Sequence, residues 1–379
     1  MTPAQTYPAR RDDVRLLVID PGAASFAETR TTALPALLRS GDLLVVNDAA
    51  TLPASLRGRD ARGREVEARL ISLADEDRGA APLFWAALLG AGDWHQRTED
   101  RPLPPPLAPG DRLTFGSLAA TIVARAPLSP RLVALHFDVG GDALWAALYR
   151  EARPVQYSYL AHELPLWAVQ TVYAGRPWAF EMPSAGRPLS WETLLALRSR
   201  GVHWAALTHA AGLSATGDPT IDAALPLPER YEIPAATAIA IAEAHRSGGR
   251  VIAVGTTVVR ALEGAVAAYG TLRPGSGTTD LRIGPHFQPR VVDGIFSGTH
   301  AEGESHFALL GAFAKDDLLR DAAAFADARG FHTHELGDSM LIARGVLRDP
   351  DTLHRHTFAS SLTPPAIGQQ TSLRISAPH

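Results

Sequence analysis

Two hydrophobic patterns divide the chain. Near the N-terminus and through the C-terminal half, compact apolar runs typical of buried strands alternate with longer segments of helical spacing. Such alternation favours an α/β arrangement, in which helices cover a sheet. The predicted strands are Val14–Asp20, Asp42–Asn47, Val202–Leu207, Val251–Val254, Asp280–Ile283, Val291–Phe296 and Asp338–Ala343. The predicted helices are Thr32–Arg39, Asp142–Arg150, a segment capped by Ser190 that ends near Arg200, Ala235–Arg246, a segment after Val254, Glu304–Phe313 and Lys315–Arg329.

The middle of the chain has a different pattern. From Thr51 to about Val139, short β-rich runs are separated by Gly, Pro and Asp, and Glu65–Leu73 partly alternates as a half-buried strand does. Strands at this spacing predict a small antiparallel barrel or sandwich. We therefore expect a main α/β domain of residues 1–50 and 140–348, an inserted β domain of residues 51–139, and a weakly ordered C-terminal tail of residues 349–379.

The segment Val251–Val259 joins a strand to a helix through a glycine and two threonines. This order places backbone N–H groups and the positive end of a helix at the carboxyl edge of a sheet, where ligands of open α/β sheets bind. The same order also serves any strand–turn–helix unit, with a hydroxyl as the helix N-cap. Arg260 either contacts a ligand or pairs with Glu263 on the same helix face. The candidates for substrate binding in this segment are Gly255, Thr256, Thr257 and Arg260.

Polar residues also follow other predicted strands. Asn47 and Asp48 end the second strand, and His209 follows Val202–Leu207, where an imidazole is a candidate for acid–base chemistry. The histidines and glutamates between His300 and His306 match no standard ligand spacing, so we expect no metal. Further candidates lie in loops and at strand ends: Gln170, Tyr173, Ser184, Gly186, Thr279, Asp280, Asp293 and His300.

Composition narrows the class of protein. Hydrophobic residues make up 46% and charged residues 20% of the 379, a balance typical of a globular protein. Cysteine is absent, which excludes disulfides, thiolate metal sites and a cysteine nucleophile. No apolar run reaches the roughly 18 residues of a membrane span, so we expect a cytoplasmic protein without a membrane segment. The 36 basic and 40 acidic residues give a net charge of −4, which does not provide the basic excess usual for nucleic-acid binding.

Known sequence motifs leave the reaction open. The chain contains no Gly-x-Ser-x-Gly elbow, no Walker loop and no full Gly-x-Gly-x-x-Gly fingerprint. The residues alone therefore indicate an α/β enzyme with an inserted β domain and a polar site along the carboxyl ends of its strands.

Several stretches, taken in order from about Asp12 to Arg344, resemble the S-adenosylmethionine:tRNA ribosyltransferase-isomerase family of queuosine biosynthesis. The order and number of the matching stretches carry the resemblance more than any one of them. They are Gly41–Asp48 with Pro53 and Ala54, Gln170–Ala174, Pro183–Gly186, Gly248–Thr257 with Val259, Arg260, Leu262 and Glu263, Gly277–Asp280, Val292–Gly294 and Gly337–Ile342.

This resemblance implies a mixed α/β main domain with an inserted small antiparallel β-barrel domain. It also implies that S-adenosylmethionine is a substrate whose ribosyl moiety is transferred onto 7-aminomethyl-7-deazaguanine in tRNA and rearranged, giving epoxyqueuosine with release of adenine and methionine. A base must remove the proton next to the sulfonium. The expected catalytic residues are Asp48, His209, Asp280 and His300. The expected substrate-binding residues are Asn47, Gln170, Tyr173, Ser184, Gly186, Gly255, Thr256, Thr257, Arg260, Thr279 and Asp293.

Several loops depart from the family pattern. The segment 47–50 lacks an arginine, 185–190 lacks a histidine, 208–214 and 297–304 keep only part of their motifs, and 227–232 replaces a basic segment. We therefore expect a divergent paralogue whose donor side is kept and whose acceptor side is altered. Two alternatives remain: use of S-adenosylmethionine on a small-molecule acceptor or its cleavage without tRNA, and a non-catalytic S-adenosylmethionine-binding protein. The sequence leaves the oligomeric state open between monomer and homodimer.

Overall fold

The computed structural model describes residues 1–73, 82–213 and 216–347 and the backbone of 355–357. Its strands are β1 Thr2–Pro3, β2 Arg15–Asp20, β3 Ser25–Arg30, β4 Leu43–Asn47, β5 Ala49–Thr51, β6 Ser55–Asp60, β7 Glu65–Leu73, β8 Leu83–Leu89, β9 Arg112–Phe115, β10 Leu118–Arg125, β11 Leu132–Phe137, β12 Arg176–Ala179, β13 His203–His209, β14 Glu229–Ile233, β15 Val251–Val254, β16 Gly275–Thr279, β17 Gly294–Gly298, β18 His332–Thr333, β19 Ser339–Ala343 and β20 Arg355–Thr357. Its α-helices are α1 Leu34–Leu37, α2 Gly141–Glu151, α3 Trp191–Ser199, α4 Pro219–Ala224, α5 Ala235–Arg246, α6 Thr256–Tyr269, α7 Ser305–Leu310 and α8 Asp316–Ala328.

A ten-stranded mixed sheet forms the main domain, in the order β16-β14-β13-β4-β15-β17-β19-β2-β3-β20. Its centre is parallel, because β4 pairs with β13 on one side and β15 on the other in the same direction. Helices cover both faces of this central region, which explains why the sequence of β4 is a continuous apolar run. The fold is therefore the mixed α/β class that the sequence predicted.

The two faces of the sheet have separate apolar cores. Leu17, Val45 and Leu207 point to the face covered by α5, α6 and α8, which we call the α6 face. Leu44 and Val46 point to the opposite face, covered by α1 and α3, which we call the α3 face. Side chains alternate between the two faces along a strand. A residue at the end of a strand therefore lies on the same face as the residue two positions before it.

The inserted domain is a closed antiparallel barrel with strand order β10-β11-β8-β7-β6-β9. Buried Leu, Ala, Val and Phe side chains fill its interior, and α2 packs against the same core. The chain segments that lead into and out of this domain are paired, because Ser55 and Arg153 exchange backbone hydrogen bonds of 2.8 and 2.9 Å. The composition change along the chain thus corresponds to a barrel rather than a sandwich.

The hydroxyl N-cap expected after the glycine turn is wrong. Helix α6 begins at Thr256, and Gly255 is its N-cap, with φ of +94° and no side-chain hydrogen bond to the cap. Only glycine adopts such a backbone conformation readily, so the turn selects the glycine rather than a threonine hydroxyl. By contrast, the N-cap predicted at Ser190 is confirmed, since its Oγ accepts a hydrogen bond from the backbone N–H of Thr193 at 3.1 Å.

The strand predicted at Asp280–Ile283 is also wrong, and the Gly-Ser segment before it forms β16 instead. Among the strands of the described chain, this one lies at the sheet edge and pairs only with β14. Gly277 leaves the space in which the ring of Tyr231 lies, because a Cβ there would come within 2.4 Å of the Tyr231 hydroxyl. An edge strand that covers an aromatic ring in this way needs small residues and no apolar run.

The expected weakly ordered tail, residues 349–379, lies outside the described residues except for β20, whose backbone pairs with β3. None of the helices in the described part of the chain has the length and apolar character needed to cross a bilayer.

Candidate functional site

The carboxyl ends of β4, β13 and β15 meet at one edge of the sheet, which we call the carboxyl edge. Antiparallel β14 begins at this edge, because His209 at the end of β13 pairs with Tyr231, and Glu229 lies beyond that pair. The glycine turn before α6 also lies here. Parallel strand packing therefore brings together residues that are about 40 to 210 positions apart in the sequence.

On the α6 face of this edge, the side chain of Asn47 hydrogen-bonds to several neighbouring elements. Its Oδ1 accepts hydrogen bonds from the backbone N–H of His209 at 2.9 Å and of Ala49 at 3.1 Å. Its Nδ2 donates to the carbonyl of His209 at 3.0 Å and to Oγ1 of Thr257 at 3.4 Å. One buried amide thus fixes the end of β13 relative to the first turn of α6.

Glu229 and Arg260 form a buried ion pair beside Asn47. The Arg260 Nη2 donates to Oε2 of Glu229, and Oε1 of Glu229 accepts from the backbone N–H of Gly212 at 3.0 Å. The two side chains are 12% and 9% exposed. Burial raises the pKa of Glu229 above its ordinary value, and the charge of Arg260 opposes that rise. We call Asn47, His209, Glu229, Thr257 and Arg260 the α6-face cluster.

The alternative pairing of Arg260 with Glu263 is wrong. Glu263 is buried and accepts hydrogen bonds from the backbone N–H groups of Arg290, Val291 and Val292 at 2.9 to 3.0 Å. Its carboxylate therefore holds the segment before β17 against α6, which leaves Arg260 for Glu229. Spacing along one helix could not reveal a partner that arrives from another strand.

His209 is enclosed in the cluster. Neither ring nitrogen makes a hydrogen bond, and Nε2 lies 3.4 Å from Oε2 of Glu229. Burial, followed by the charge of Arg260, lowers the pKa of His209 well below its ordinary value, so the ring is neutral at pH 7. The Nε of Arg260 is also buried without a hydrogen bond. Each unsatisfied buried polar group costs about 1–3 kcal/mol, and such groups concentrate at sites that bind ligands.

A second group of polar residues lies on the α3 face of the same edge. Thr208 Oγ1 donates to Oδ1 of Asp48 at 2.6 Å, and burial raises the pKa of Asp48. The buried hydroxyl of Tyr173 makes no hydrogen bond and lies against Gly186, where a Cβ would come within 2.0 Å of it. Burial also raises the pKa of Tyr173. Gly186 ends the short 3-10 turn Ser184–Gly186, which lies beside the glycine turn before α6.

The α6-face cluster extends toward a group of histidines. His300 Nε2 lies 3.0 Å from Oγ of Ser297, and its Nδ1 lies 3.7 Å from Oε2 of Glu304. The rings of His300 and His306 have centroids 5.0 Å apart. Burial, then the charges of His300 and Arg260, lower the pKa of His306 to about 3. Within the described residues, no group of three or more potential ligands is arranged to hold a metal ion.

Four predicted site residues lie apart from these clusters. Gln170 anchors β5, because its amide exchanges hydrogen bonds of 2.8 and 2.9 Å with the backbone of Thr51. Thr279 packs against Gly264 of α6, and Asp280 is exposed beyond the end of β16. Asp293 lies at the opposite edge of the sheet, where it accepts from the backbone N–H of Val251 at 2.8 Å. Asp293 precedes β17, whose amino end is there, so it cannot join residues at the carboxyl edge.

A cavity of about 280 Å³ lies between the barrel and the carboxyl edge, and we call it the interdomain cavity. Its wall includes Glu229 of the α6-face cluster. The guanidinium carbon of Arg230 lies 3.5 Å from the ring centroid of Trp178 in the same wall. The described lining residues are Leu52, Ile71, Ser72, Leu73, Trp145, Pro177, Trp178, Phe180, Ala210, Gly212, Leu213, Leu225, Pro226, Leu227, Pro228, Glu229, Arg230 and Thr278.

Sequence reasoning missed Glu229, Trp178 and Arg230. A usable signal was present for Glu229, because Glu-Arg-Tyr-Glu-Ile after Pro228 alternates as a half-buried strand and begins with an acidic residue. Trp178 gave no signal beyond the richness of its segment in aromatic residues.

The chain is similar to proteins of one family along most of its length. Residues 2–342 match the family described as "Queuosine biosynthesis protein". An S-adenosylmethionine:tRNA ribosyltransferase-isomerase of Methylobacterium sp. strain 4-46 is 35% identical over 354 residues, which span 88% of this chain and 93% of the relative. The protein of the same name from Gluconacetobacter diazotrophicus is 36% identical, over 89% of this chain and 92% of the relative. A crystal structure of an S-adenosylmethionine tRNA ribosyltransferase from Thermotoga maritima aligns over 90% of this chain and 96% of its own, at 23% identity and a TM-score of 0.49.

Proposed function

The chain belongs to the S-adenosylmethionine:tRNA ribosyltransferase-isomerase family of queuosine biosynthesis, and we propose that it carries out the reaction for which those relatives are named. In this reaction the ribosyl moiety of S-adenosylmethionine is transferred to 7-aminomethyl-7-deazaguanine in tRNA and rearranged to give epoxyqueuosine. Adenine and methionine are released. The main structural support is the buried Glu229–Arg260 pair, which stands between the first turn of α6 and a cavity at the carboxyl edge.

The donor binds along the carboxyl edge, at the turn before α6. The first N–H groups of a helix of 14 residues attract an anion, which suits the carboxylate of the methionine moiety. Gly255 allows this turn, because its φ of +94° is strained for any other residue. Arg260 supplies a second positive group whose Nε is without a partner. Asn47, Thr256 and Thr257 complete this side of the donor site.

Asp48 is the base for the proton next to the sulfonium. Burial raises the pKa of its carboxylate, which makes it a stronger base than an exposed aspartate. The hydrogen bond from Thr208 fixes the orientation of the carboxylate. Its negative charge also attracts the positive sulfonium of the bound donor. Tyr173, Ser184 and Gly186 form the wall of the donor site on this face.

Chromatography of adenine tests the proposal. The protein is incubated with S-adenosylmethionine alone, with tRNA that carries the precursor base, and with tRNA that lacks it. Adenine release only with precursor tRNA supports the proposed function. Release without tRNA would replace it by cleavage of the donor or transfer to a small molecule. Donor binding by calorimetry with no release in any arm would leave a non-catalytic binding protein.

Substitution of Arg260 tests the donor site separately. Arg260→Ala removes a charged hydrogen-bond donor worth about 1.5–3 kcal/mol, so the dissociation constant for S-adenosylmethionine should rise about 10- to 150-fold. Arg246→Ala is the matched control, because Arg246 is exposed at the end of α5. Equal donor affinity in both variants would remove Arg260 from the donor site.

A further inference from the structure

We propose that the interdomain cavity receives the acceptor base itself and that Glu229, in its wall, takes the proton from the base's aminomethyl group before that nitrogen attacks. This inference rests on the proposed function, since it assigns a place and a proton acceptor to the second substrate. The cavity lies beside the donor residues without including them. Its described lining contains neither Asn47 nor Gly255, Thr257 or Arg260.

The size of the cavity suits a base. The cavity holds about 280 Å³, close to the lower end of about 300 Å³ for pockets that bury a small ligand. A single two-ring base is a ligand at that lower end.

The walls of the cavity have the composition of a base-binding site. Trp145, Trp178 and Phe180 contribute aromatic surface, and Leu225 and Leu227 contribute aliphatic surface. Bases stack on aromatic side chains whatever their edge pattern. Ser72 and Thr278 provide hydroxyl groups that can pair with the polar edge of a base.

The charges are arranged for a base that is attached to a nucleic acid. Arg230 stacks on Trp178 at 3.5 Å, and Arg176 lies 5.7 Å from the same ring. Arg176 also pairs with Glu232 at 2.6 Å, so its guanidinium is held in place. Two guanidinium groups around one cavity-lining tryptophan suit the phosphates that flank an inserted nucleotide.

Glu229 lines the cavity and also contacts the donor side, through Arg260. The aminomethyl group of the acceptor is an alkylammonium ion at neutral pH, since such amines have a pKa of about 10.4. It is therefore attracted to a carboxylate in an apolar cavity. In the proposed step the N–H bond breaks, an O–H bond forms on Glu229, and the electron pair stays on the nitrogen. That nitrogen then faces the donor across the Glu229–Arg260 pair.

Calorimetry with the free base 7-aminomethyl-7-deazaguanine and the full-length protein tests the cavity without relying on catalysis. Trp178→Ala should weaken binding of the base about 5- to 150-fold, the range for loss of one stacking partner, and leave the affinity for S-adenosylmethionine unchanged. Trp191→Ala is the matched control, because Trp191 lies on α3 with 47% of its surface exposed. Equal base affinity in the two variants would overturn the assignment of the cavity. A loss confined to S-adenosylmethionine would identify the cavity as part of the donor site and also overturn it.

Adenine release then tests the proton transfer. Glu229→Gln should lower kcat with precursor tRNA at least about tenfold and remove the acid limb that Glu229 contributes to the pH profile of kcat. An unchanged profile would exclude Glu229 as the proton acceptor. Because Glu229→Gln alters a buried pair, Leu227→Trp provides an independent variant that fills the cavity and should abolish base binding. If wild-type protein binds the free base in the cavity but releases no adenine with any tRNA, the proposed function fails and the cavity assignment stands.

Discussion

The buried Glu229–Arg260 pair should be one of the strongest couplings in the main domain. Both side chains are at least 88% buried, so removal of one leaves a charge that water cannot reach. Breaking a buried pair in this way costs about 3–5 kcal/mol. We therefore expect Glu229→Ala and Arg260→Ala each to lower the free energy of unfolding by that amount. The double variant leaves no uncompensated charge and should lose no more than either single variant.

The two single losses add to about 6–10 kcal/mol, whereas the double variant loses only about 3–5 kcal/mol. The difference, a coupling energy of about 3–5 kcal/mol, is what the double-mutant cycle should give. The measurement is equilibrium denaturation in urea, followed by far-ultraviolet circular dichroism and tryptophan fluorescence at pH 7. The four proteins of the cycle are compared at one ionic strength.

Arg112 and Asp138 provide the matched control cycle. They form an ion pair on the barrel, but their side chains are 55% and 40% exposed. Exposed pairs contribute about 0–1 kcal/mol, so the coupling in this cycle should stay below about 1 kcal/mol. A Glu229–Arg260 coupling no larger than that of the control would refute the inference that the pair is desolvated and mutually required.

Four further results are expected. Asn47→Ala removes the amide that supports both backbone groups of His209 and should lower the free energy of unfolding by about 2–4 kcal/mol in urea denaturation. Gly255→Ala forces an L-residue into φ of +94° and should cost about 1–3 kcal/mol, together with a weaker affinity for S-adenosylmethionine in calorimetry. Burial raises the pKa of Asp48, and a carboxylate base acts only when it is ionised. As pH decreases, kcat/KM should therefore begin to fall at a pH above the ordinary aspartate pKa. A fall that begins only at or below pH 3.8 would contradict this role. Burial alone would raise the pKa of Asp42, but the hydrogen bonds from Arg250 hold that pKa below 3.8. The ionised carboxylate therefore stabilises the fold at neutral pH, and this contribution is lost as pH falls from 3.8 through the pKa of the folded state. Asp42→Asn should flatten the decrease in stability at acid pH, as measured by thermal denaturation.

The centre of the fold could be predicted from sequence because burial on both faces leaves a local trace. The strand β4 is a run of apolar residues, and Ser190 caps a helix with its own side chain. Both features depend on residues that are neighbours in the chain. The strand β16 left no such trace, since its glycines accommodate Tyr231, which is more than 40 residues earlier.

The candidate site was predicted only in part for a related reason. Asn47, Asp48 and His209 follow apolar strands, so their place at the carboxyl edge could be inferred from the strands. Glu229 begins a short strand of mixed polarity, and its importance comes from Arg260 and Gly212, which reach it from other elements. Asp293 was placed with the site because the stretch Val292–Gly294 resembles the family, whereas the structure places it directly before β17, which begins at Gly294, and therefore at the opposite edge.

The position of β4 also sets the order in which the protein can assemble during synthesis. Its two partners are β13 and β15, so β4 has no neighbour in the sheet until residues 203–209 have left the ribosome, and its second edge stays uncovered until residue 254. At about 5–20 residues per second, the roughly 200 residues between β4 and β15 take about 10–40 s to translate. The barrel, whose strands all lie between Ser55 and Phe137, can close during that time. At least one edge of this Leu-Leu-Val-Val strand is open to other chains throughout this interval, so slow translation of residues 140–254 should increase the need for chaperones.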